Sequence, residues 1–326
     1  MSKWSKRKRL ETVISGGKPD RVPVALWRHW PGDDQDASAL AAAHLQWQRD
    51  YDWDLLKIGT ASSYSVDDWG MQTRWLGDIE GTREETYRPA KTAVYWEELR
   101  PLDPTKGVLA TQIDALNFVN AGLQDETPVI MTIFSPLTQA QRLAGEENLL
   151  IQMRQHPDLV HRGLRVITES TRRFVEAAKK TGISGIFYAV QHARYPLLSQ
   201  NEFMTFARPY DLQVLESANE LWCNIVHIHG ADVAFDWAAD YPAHFVNWHD
   251  RETGFSLKEG LTHIQGAASG GIDQWTLHQD APEAALLEAQ DAVEQVNGSR
   301  LLLGTGCVAL VTTPLRNIRA LREFVD

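Results

Sequence analysis

The stretch Trp222-Cys223-Asn224-Ile225-Val226-His227-Ile228-His229-Gly230 is an apolar run that ends on two histidines and a glycine. Read as a strand, its alternation points His227 and His229 to the same side. Gly230 then lets the backbone turn away. Two imidazoles on one face are half of a metal site. A second apolar run, Leu301-Leu302-Leu303, leads into Gly304-Thr305-Gly306-Cys307 and offers a sulfur. Two nitrogens and one thiolate with an open fourth position suit a catalytic zinc that activates a thiol or a water. The same residues also suit an ordinary hydrogen-bonded histidine pair and a buried inert thiol.

Working outward from this strand, short β-rich runs recur at 22–26, 54–58, 129–134, 185–190, 222–227, 244–248, 264–268 and 300–303. Helical periodicity lies between them, at 38–51, 137–144, 157–181, 199–219, 231–240, 257–261, 282–297 and 314–324, with Pro209 set to break the segment 199–219. Strand and helix alternating through the chain imply a parallel sheet, and eight such units imply a closed α/β barrel of the (β/α)₈ TIM type. An open doubly wound sheet is the alternative, but no G-x-G-x-x-G follows an early strand. Residues 68–99 are too long for a simple crossover and carry Trp75, Tyr87, Tyr95 and Trp96. They read as a hairpin-like insertion after the second strand, before a helix near 104–120. With no repeats or linker-like tracts, 1–326 reads as a single domain.

The net charge of −11 argues against a nucleic-acid partner. Only Lys3, Lys6, Arg7, Lys8 and Arg9 are locally basic, and they read as a solvated terminus or opening helix. No apolar segment follows them as in a signal peptide, and no run approaches a membrane span. Two cysteines in 326 residues fit a reducing compartment, so a cytoplasmic setting is expected. Twelve tryptophans suit core and rim packing or an aromatic-walled pocket.

In a barrel of this type the chemistry sits just beyond the C-terminal strand ends. Those positions are Arg28 and His29; residues 57–64; Tyr188, Gln191 and His192; His227 and His229; His249 and Asp250; Asp273 after Gly270-Gly271; and Cys307. Arg28 suits a substrate carboxylate or a bridge to an acidic loop. Tyr188, Gln191, His192, His249 and Asp273 suit substrate binding, and Asp250 suits support of a ligand imidazole. Each also has a plain structural use as a cap, core or turn residue.

Several motifs together resemble the uroporphyrinogen decarboxylase superfamily, including its zinc-dependent corrinoid methyltransferase branch. They are Arg7-Lys8-Arg9-Leu10 through Gly17-Lys18-Pro19-Asp20-Arg21-Val22-Pro23-Val24, Phe134-Ser135-Pro136-Leu137-Thr138 with Leu143-Ala144-Gly145, Leu198-Ser199 to Pro209-Tyr210, the His227–Gly230 and Gly304–Cys307 segments, and Thr313-Pro314-Leu315-Arg316-Asn317-Ile318. The resemblance runs nearly end to end and implies the same barrel.

It also bears on activity. Decarboxylases of the superfamily carry Arg-Gln-Ala-Gly-Arg after the first strand, and here that place reads Arg28-His29-Trp30-Pro31-Gly32. Their aspartate gives way to residues 57–60, their tyrosine to about Gln141 and their late histidine to Cys307. A polycarboxylate porphyrinogen would be poorly neutralised. The methyltransferase branch holds zinc with His-x-Cys and a later Cys. His227 and Cys307 match that pattern, and His229 stands in place of the first Cys. The resemblance therefore implies zinc on His227, His229 and Cys307, a corrinoid carried by a partner protein as methyl carrier, a thiol or similar small-molecule acceptor, and a homodimer as one assembly. The alternatives are a metal-free decarboxylase of a small acid gripped by Arg28, and a barrel that binds a corrinoid or tetrapyrrole without chemistry.

Overall fold

The computed structural model describes residues 4–326, so Lys3 of the basic opening lies outside the described residues. Among the described residues nine strands form: β1 (Leu56–Ile58), β2 (Gln72–Arg74), β3 (Glu84–Tyr87), β4 (Val129–Phe134), β5 (Gly185–Val190), β6 (Ile225–Ile228), β7 (Phe245–Trp248), β8 (Ala267–Ile272) and β9 (Leu301–Thr305). Seven of them run parallel in the order β1-β4-β5-β6-β7-β8-β9 and curl into a barrel wall. Every residue of β4 to β9 is buried, as expected for parallel strands covered by helices on one side and filled by side chains on the other.

The expected first strand at 22–26 is instead a single bridge, Val24 to Leu303. It still closes the barrel. The Ala25 N–H donates to the Leu303 carbonyl (3.0 Å), the Leu303 N–H to the Pro23 carbonyl (2.9 Å), and the Asp54 N–H to the Val24 carbonyl (3.0 Å). Pro23 lacks an N–H, so no regular ladder can run through it. The Val24 N–H goes to the Asp54 carboxylate instead (2.8 Å).

Helices occupy most of the links. Gly107–Gly122 precedes β4; Pro136–Ala144, Glu146–Gln155 and Pro157–Lys179 lie between β4 and β5; Gln200–Phe206 and Arg208–Ser217 precede β6; Glu283–Gln295 precedes β9. Pro157–Lys179 buries Val160, Leu164, Ile167, Phe174 and Ala178 at helical spacing. Truncating a fully buried leucine there, Leu164→Ala, costs about 2–5 kcal/mol. The expected helix at 199–219 breaks at Ala207, so that Pro209 falls in the first turn of the second piece, where its missing N–H costs nothing.

Three expectations are corrected. The helix expected at 231–240 is one 3-10 turn, Phe235–Trp237, because this segment is tied to the loop after β5. Val233 pairs with Arg194, and the Ala234 N–H donates to the Ala193 carbonyl at 2.7 Å. The strand expected at 264–268 lies later, so Gly270 and Gly271 sit inside β8 and form no turn. The opening basic segment forms the helix Lys6–Ile14, in which Arg9 is buried and not solvated. The insertion after β1 is the antiparallel hairpin β2–β3, as its alternating residues predict. No helix among the described residues is long and apolar enough to cross a membrane.

Candidate metal centre and cavity

Parallel register makes His227 of β6 and Asn247 of β7 direct partners on one side of the sheet. The His227 Nδ1 is 2.6 Å from the Asn247 Oδ1. The Asn247 amide nitrogen donates to the carbonyls of Ser269 (2.8 Å) and Thr305 (3.1 Å), so its oxygen must face the imidazole. His227 therefore carries its hydrogen on Nδ1 and turns the Nε2 lone pair inward.

Three more donors converge there. His229 Nδ1 lies 3.3 Å from His227 Nε2, and His249 Nε2 lies 3.4 Å from His229 Nδ1. Cys307 Sγ is 3.9 Å from His227 Nε2 and 3.7 Å from His229 Nδ1. All four ligand atoms fall within 4.8 Å of one another. The Glu252 carboxylate accepts from the His249 Nδ1–H at 3.0 Å, which turns the His249 lone pair inward as well. Gly306 makes the approach of β9 possible: a Cβ there would stand 2.7 Å from the Trp248 carbonyl and 2.8 Å from the His249 Cα. A side chain at 306 would push Cys307 off the histidines.

Burial sets the protonation. It pushes the His229 imidazole down to about 3 and His227 well below its ordinary range, each lowered further by the neighbouring histidines. His249 is also lowered by burial, against the pull of Glu252. Burial pushes the Cys307 thiol up to about 12. Lys57 of β1 lies over the Phe187 ring at 4.5 Å and is pushed down to about 8 by burial, opposed by its attraction to Cys307. With three neutral imidazoles and a thiol converging in a low-dielectric layer, the cluster has the donors to hold a metal ion.

Above the cluster opens a cavity of about 310 Å³. Its apolar lining includes Trp27, Phe134 and Phe187, and its polar lining includes Gln191, His192, Arg142, Arg194 and Glu80. Burial holds His192 down at about 4. The hairpin loop supplies Glu80, which accepts from the Gln274 side chain at 3.1 Å.

Of the residues marked in the sequence, His227, His229, Cys307, Gln191 and His192 meet at this cavity. His249 joins the donor cluster and does not line the cavity. Four others lie elsewhere. Arg28 packs over the Trp30 ring at 4.6 Å, outside the cavity. Tyr188 donates its hydroxyl to buried Asp211 at 2.7 Å, a carboxylate that also accepts from Tyr241. Asp273 caps the short helix Gln274–Leu277 and accepts from the Trp275 and Thr276 N–H groups. Asp250 accepts from the Gly271 N–H at 2.9 Å and touches no ligand histidine. Sequence reading passed over Asn247, Glu252, Arg142 and Arg194. An asparagine amid the apolar run 245–248 was a readable signal, since an unpaired amide there would be costly. Arg142 directly follows Gln141, which the family resemblance had picked out.

Comparison with curated protein sequences finds no match. Among solved structures, the chain is similar to a methyltransferase from Methanosarcina mazei, with 19% identity, a TM-score of 0.87, and coverage of 99% of this chain and 98% of that one. It is also similar to a B12-independent methionine synthase from a Shewanella species in complex with selenomethionine (14% identity, TM-score 0.57, covering 96% and 94%). A putative vitamin-B12 independent methionine synthase from Listeria monocytogenes matches at 12% identity and a TM-score of 0.56, covering 88% and 84%. At these identities the likeness is one of fold. The family model for uroporphyrinogen decarboxylase (URO-D) matches residues 5–326, and the chain belongs to that family.

Proposed function

We propose that this protein is a zinc-dependent methyltransferase that moves a methyl group between a corrinoid, carried by a partner protein, and a thiol or similar small acceptor. The observation that carries the reading is the convergence of His227 Nε2, His229 Nδ1, His249 Nε2 and Cys307 Sγ within 4.8 Å. Three imidazole nitrogens and one sulfur suit a tetrahedral, borderline-soft ion. A zinc ion held there would act as a Lewis acid toward the acceptor heteroatom. His249 would join His227, His229 and Cys307 in holding the ion, where an open position was expected.

The chain's own residues do the rest. Asn247 and Glu252 fix the tautomers of His227 and His249, so both lone pairs are aimed before any ligand arrives. Trp27, Phe134 and Phe187 place apolar surface in the cavity lining beside the cluster. The likeness in fold to a Methanosarcina mazei methyltransferase supports the class of reaction. Two free, buried cysteines support a reducing, cytoplasmic setting. Metal-free decarboxylation with Arg28 as the carboxylate grip finds less support, because Arg28 lies outside the cavity.

The test is methyl transfer from methylcobalamin to small thiols by zinc-loaded protein, followed by the cobalamin spectrum. Transfer that disappears in Cys307→Ala and in chelator is expected. No transfer to any thiol tried, with a spectral change on adding cobalamin, would favour the non-catalytic binding alternative. Chelator-insensitive release of carbon dioxide from a small acid would replace the reading with a lyase.

A further inference from the structure

The cavity lining carries two guanidinium groups, Arg142 over the Phe134 ring at 5.4 Å and Arg194, that neighbouring carboxylates do not fully satisfy. Arg83, which also lines the cavity, is spent: it grips Asp34 through Nε and Nη2 and donates to the Pro31 carbonyl. Arg142 donates one hydrogen bond to Glu85 at 3.2 Å, a carboxylate that Arg88 also holds, and its buried Nε has no partner. Arg194 makes no ion pair among the described residues, and its buried Nε has none either.

Arg194 is brought to this place by local structure. Its backbone pairs with Val233, which draws the loop after β5 against the loop after β6. Gly230, at φ +109°, gives it room: a Cβ there would stand 3.0 Å from the Arg194 Nε. The glycine that ends the His227–Gly230 segment therefore seats a cation beside His229. The two arginines are close enough to the histidines to depress both His229 and His192. A buried donor without a partner is costly, and a guanidinium presents its donors in a planar fork that suits an oxyanion.

We propose that Arg194 and Arg142, with His192 between the same elements, form a subsite for an oxyanion, so that the substrate bound in this cavity is a small acid. The apolar face of Trp27 and Phe187 covers the substrate's carbon skeleton, and the acidic group lies at the arginines. This names the class of acceptor within the methyltransferase reading and rests on it for what the acid does. The subsite itself is independent of the metal. It also replaces the role expected of Arg28, with cations drawn from other elements of the barrel.

The experiment is calorimetric titration of the full chain with propionate and methylphosphonate as planar and tetrahedral oxyanions, and propionamide as the uncharged control. The proteins are wild type stripped of metal by chelator, Arg194→Gln, Arg194→Lys and Arg142→Gln, all treated alike. Metal-free wild type should bind both anions. Arg194→Gln should weaken them by about tenfold to a hundredfold, and propionamide should bind at least about tenfold more weakly than propionate. Arg194→Lys, which keeps charge and loses the fork, should fall between. Anion binding unchanged in Arg194→Gln, propionamide equal to propionate, or no anion binding by wild type would overturn the subsite. Anion binding by a wild-type protein that holds no metal as purified, before chelator, would leave the subsite standing and remove the metal-centre reading; the reverse pattern would do the opposite.

Discussion

The two ends of this barrel treat charge in opposite ways. At the N-terminal end, buried Asp54 accepts from Arg9 Nη1 (2.6 Å), Arg21 Nη1 (2.7 Å) and the Val24 N–H (2.8 Å). Arg9 also grips Asp20, whose carboxyl it holds down at about 2. Opposite charges meet here in direct ion pairs that tie the opening helix to the barrel floor, although the buried Arg21 Nε makes no hydrogen bond among the described residues. At the C-terminal end, three neutral imidazoles and a thiol turn their ligand atoms to within 4.8 Å of one another, and Arg194 on the adjoining cavity wall has a buried Nε with no hydrogen-bond partner among the described residues. Burial alone does not mark a functional site. What marks it is a set of buried polar atoms whose lone pairs or N–H groups converge on space.

His44 makes the same point within one residue type. It is as buried as the cluster histidines and is pushed down to about 4. Its Nε2 accepts from the Gly59 N–H (2.8 Å) and its Nδ1–H donates to the Leu40 carbonyl (2.9 Å). Both ring nitrogens are used, so His44 seals a helix against β1 and has nothing left for a ligand.

Breaking the floor should have the largest effect on stability. Asp54→Ala leaves buried Arg9 and partly buried Arg21 without their shared carboxylate and should cost about 3–5 kcal/mol in denaturant unfolding. A loss below about 1 kcal/mol would mean the floor is not where the charge pairing matters. Next comes acid sensitivity at His44. The unfolded imidazole takes a proton near pH 6.5 and the folded one only near pH 4. Stability from this group is therefore present above pH 6.5 and lost as pH falls toward 4. Against His44→Gln, which can donate and accept as the neutral ring does, wild type should lose up to about 3 kcal/mol more over that interval. Parallel acid limbs for the two proteins would contradict it. The smallest effect belongs to the residues that aim the cluster: Asn247→Leu and Glu252→Gln should each weaken zinc binding by about tenfold to a hundredfold without abolishing it. Competition with a chromophoric chelator reads this directly, and unchanged affinity would mean that the tautomers are set by other contacts.

Much of this arrangement is legible in the sequence. The runs 129–134 and 185–190 coincide with β4 and β5, because continuous apolar strands in a parallel sheet leave no polar position to blur their ends. The edge at 22–26 was harder: its apolar pattern is that of a strand, but Pro23 removes a ladder donor. The segment 231–240 has helical spacing, and tertiary pairing to residues 193 and 194 overrides it. At the site, His227, His229 and Cys307 could be read because strand alternation and glycine spacing dictate where they point. The convergence of His249 on these three was not readable, since its ring direction depends on Glu252 three residues on and on Gly306 far along the chain. Arg194 stayed hidden because its position depends on two loops pairing and on a missing side chain at Gly230.

The central claim is tested most directly by the zinc content of wild-type protein purified beside His227→Ala and Cys307→Ala. The account predicts about one zinc per chain in the wild type and near none in either variant, with all three folded by circular dichroism. Equal zinc in the three proteins would contradict it.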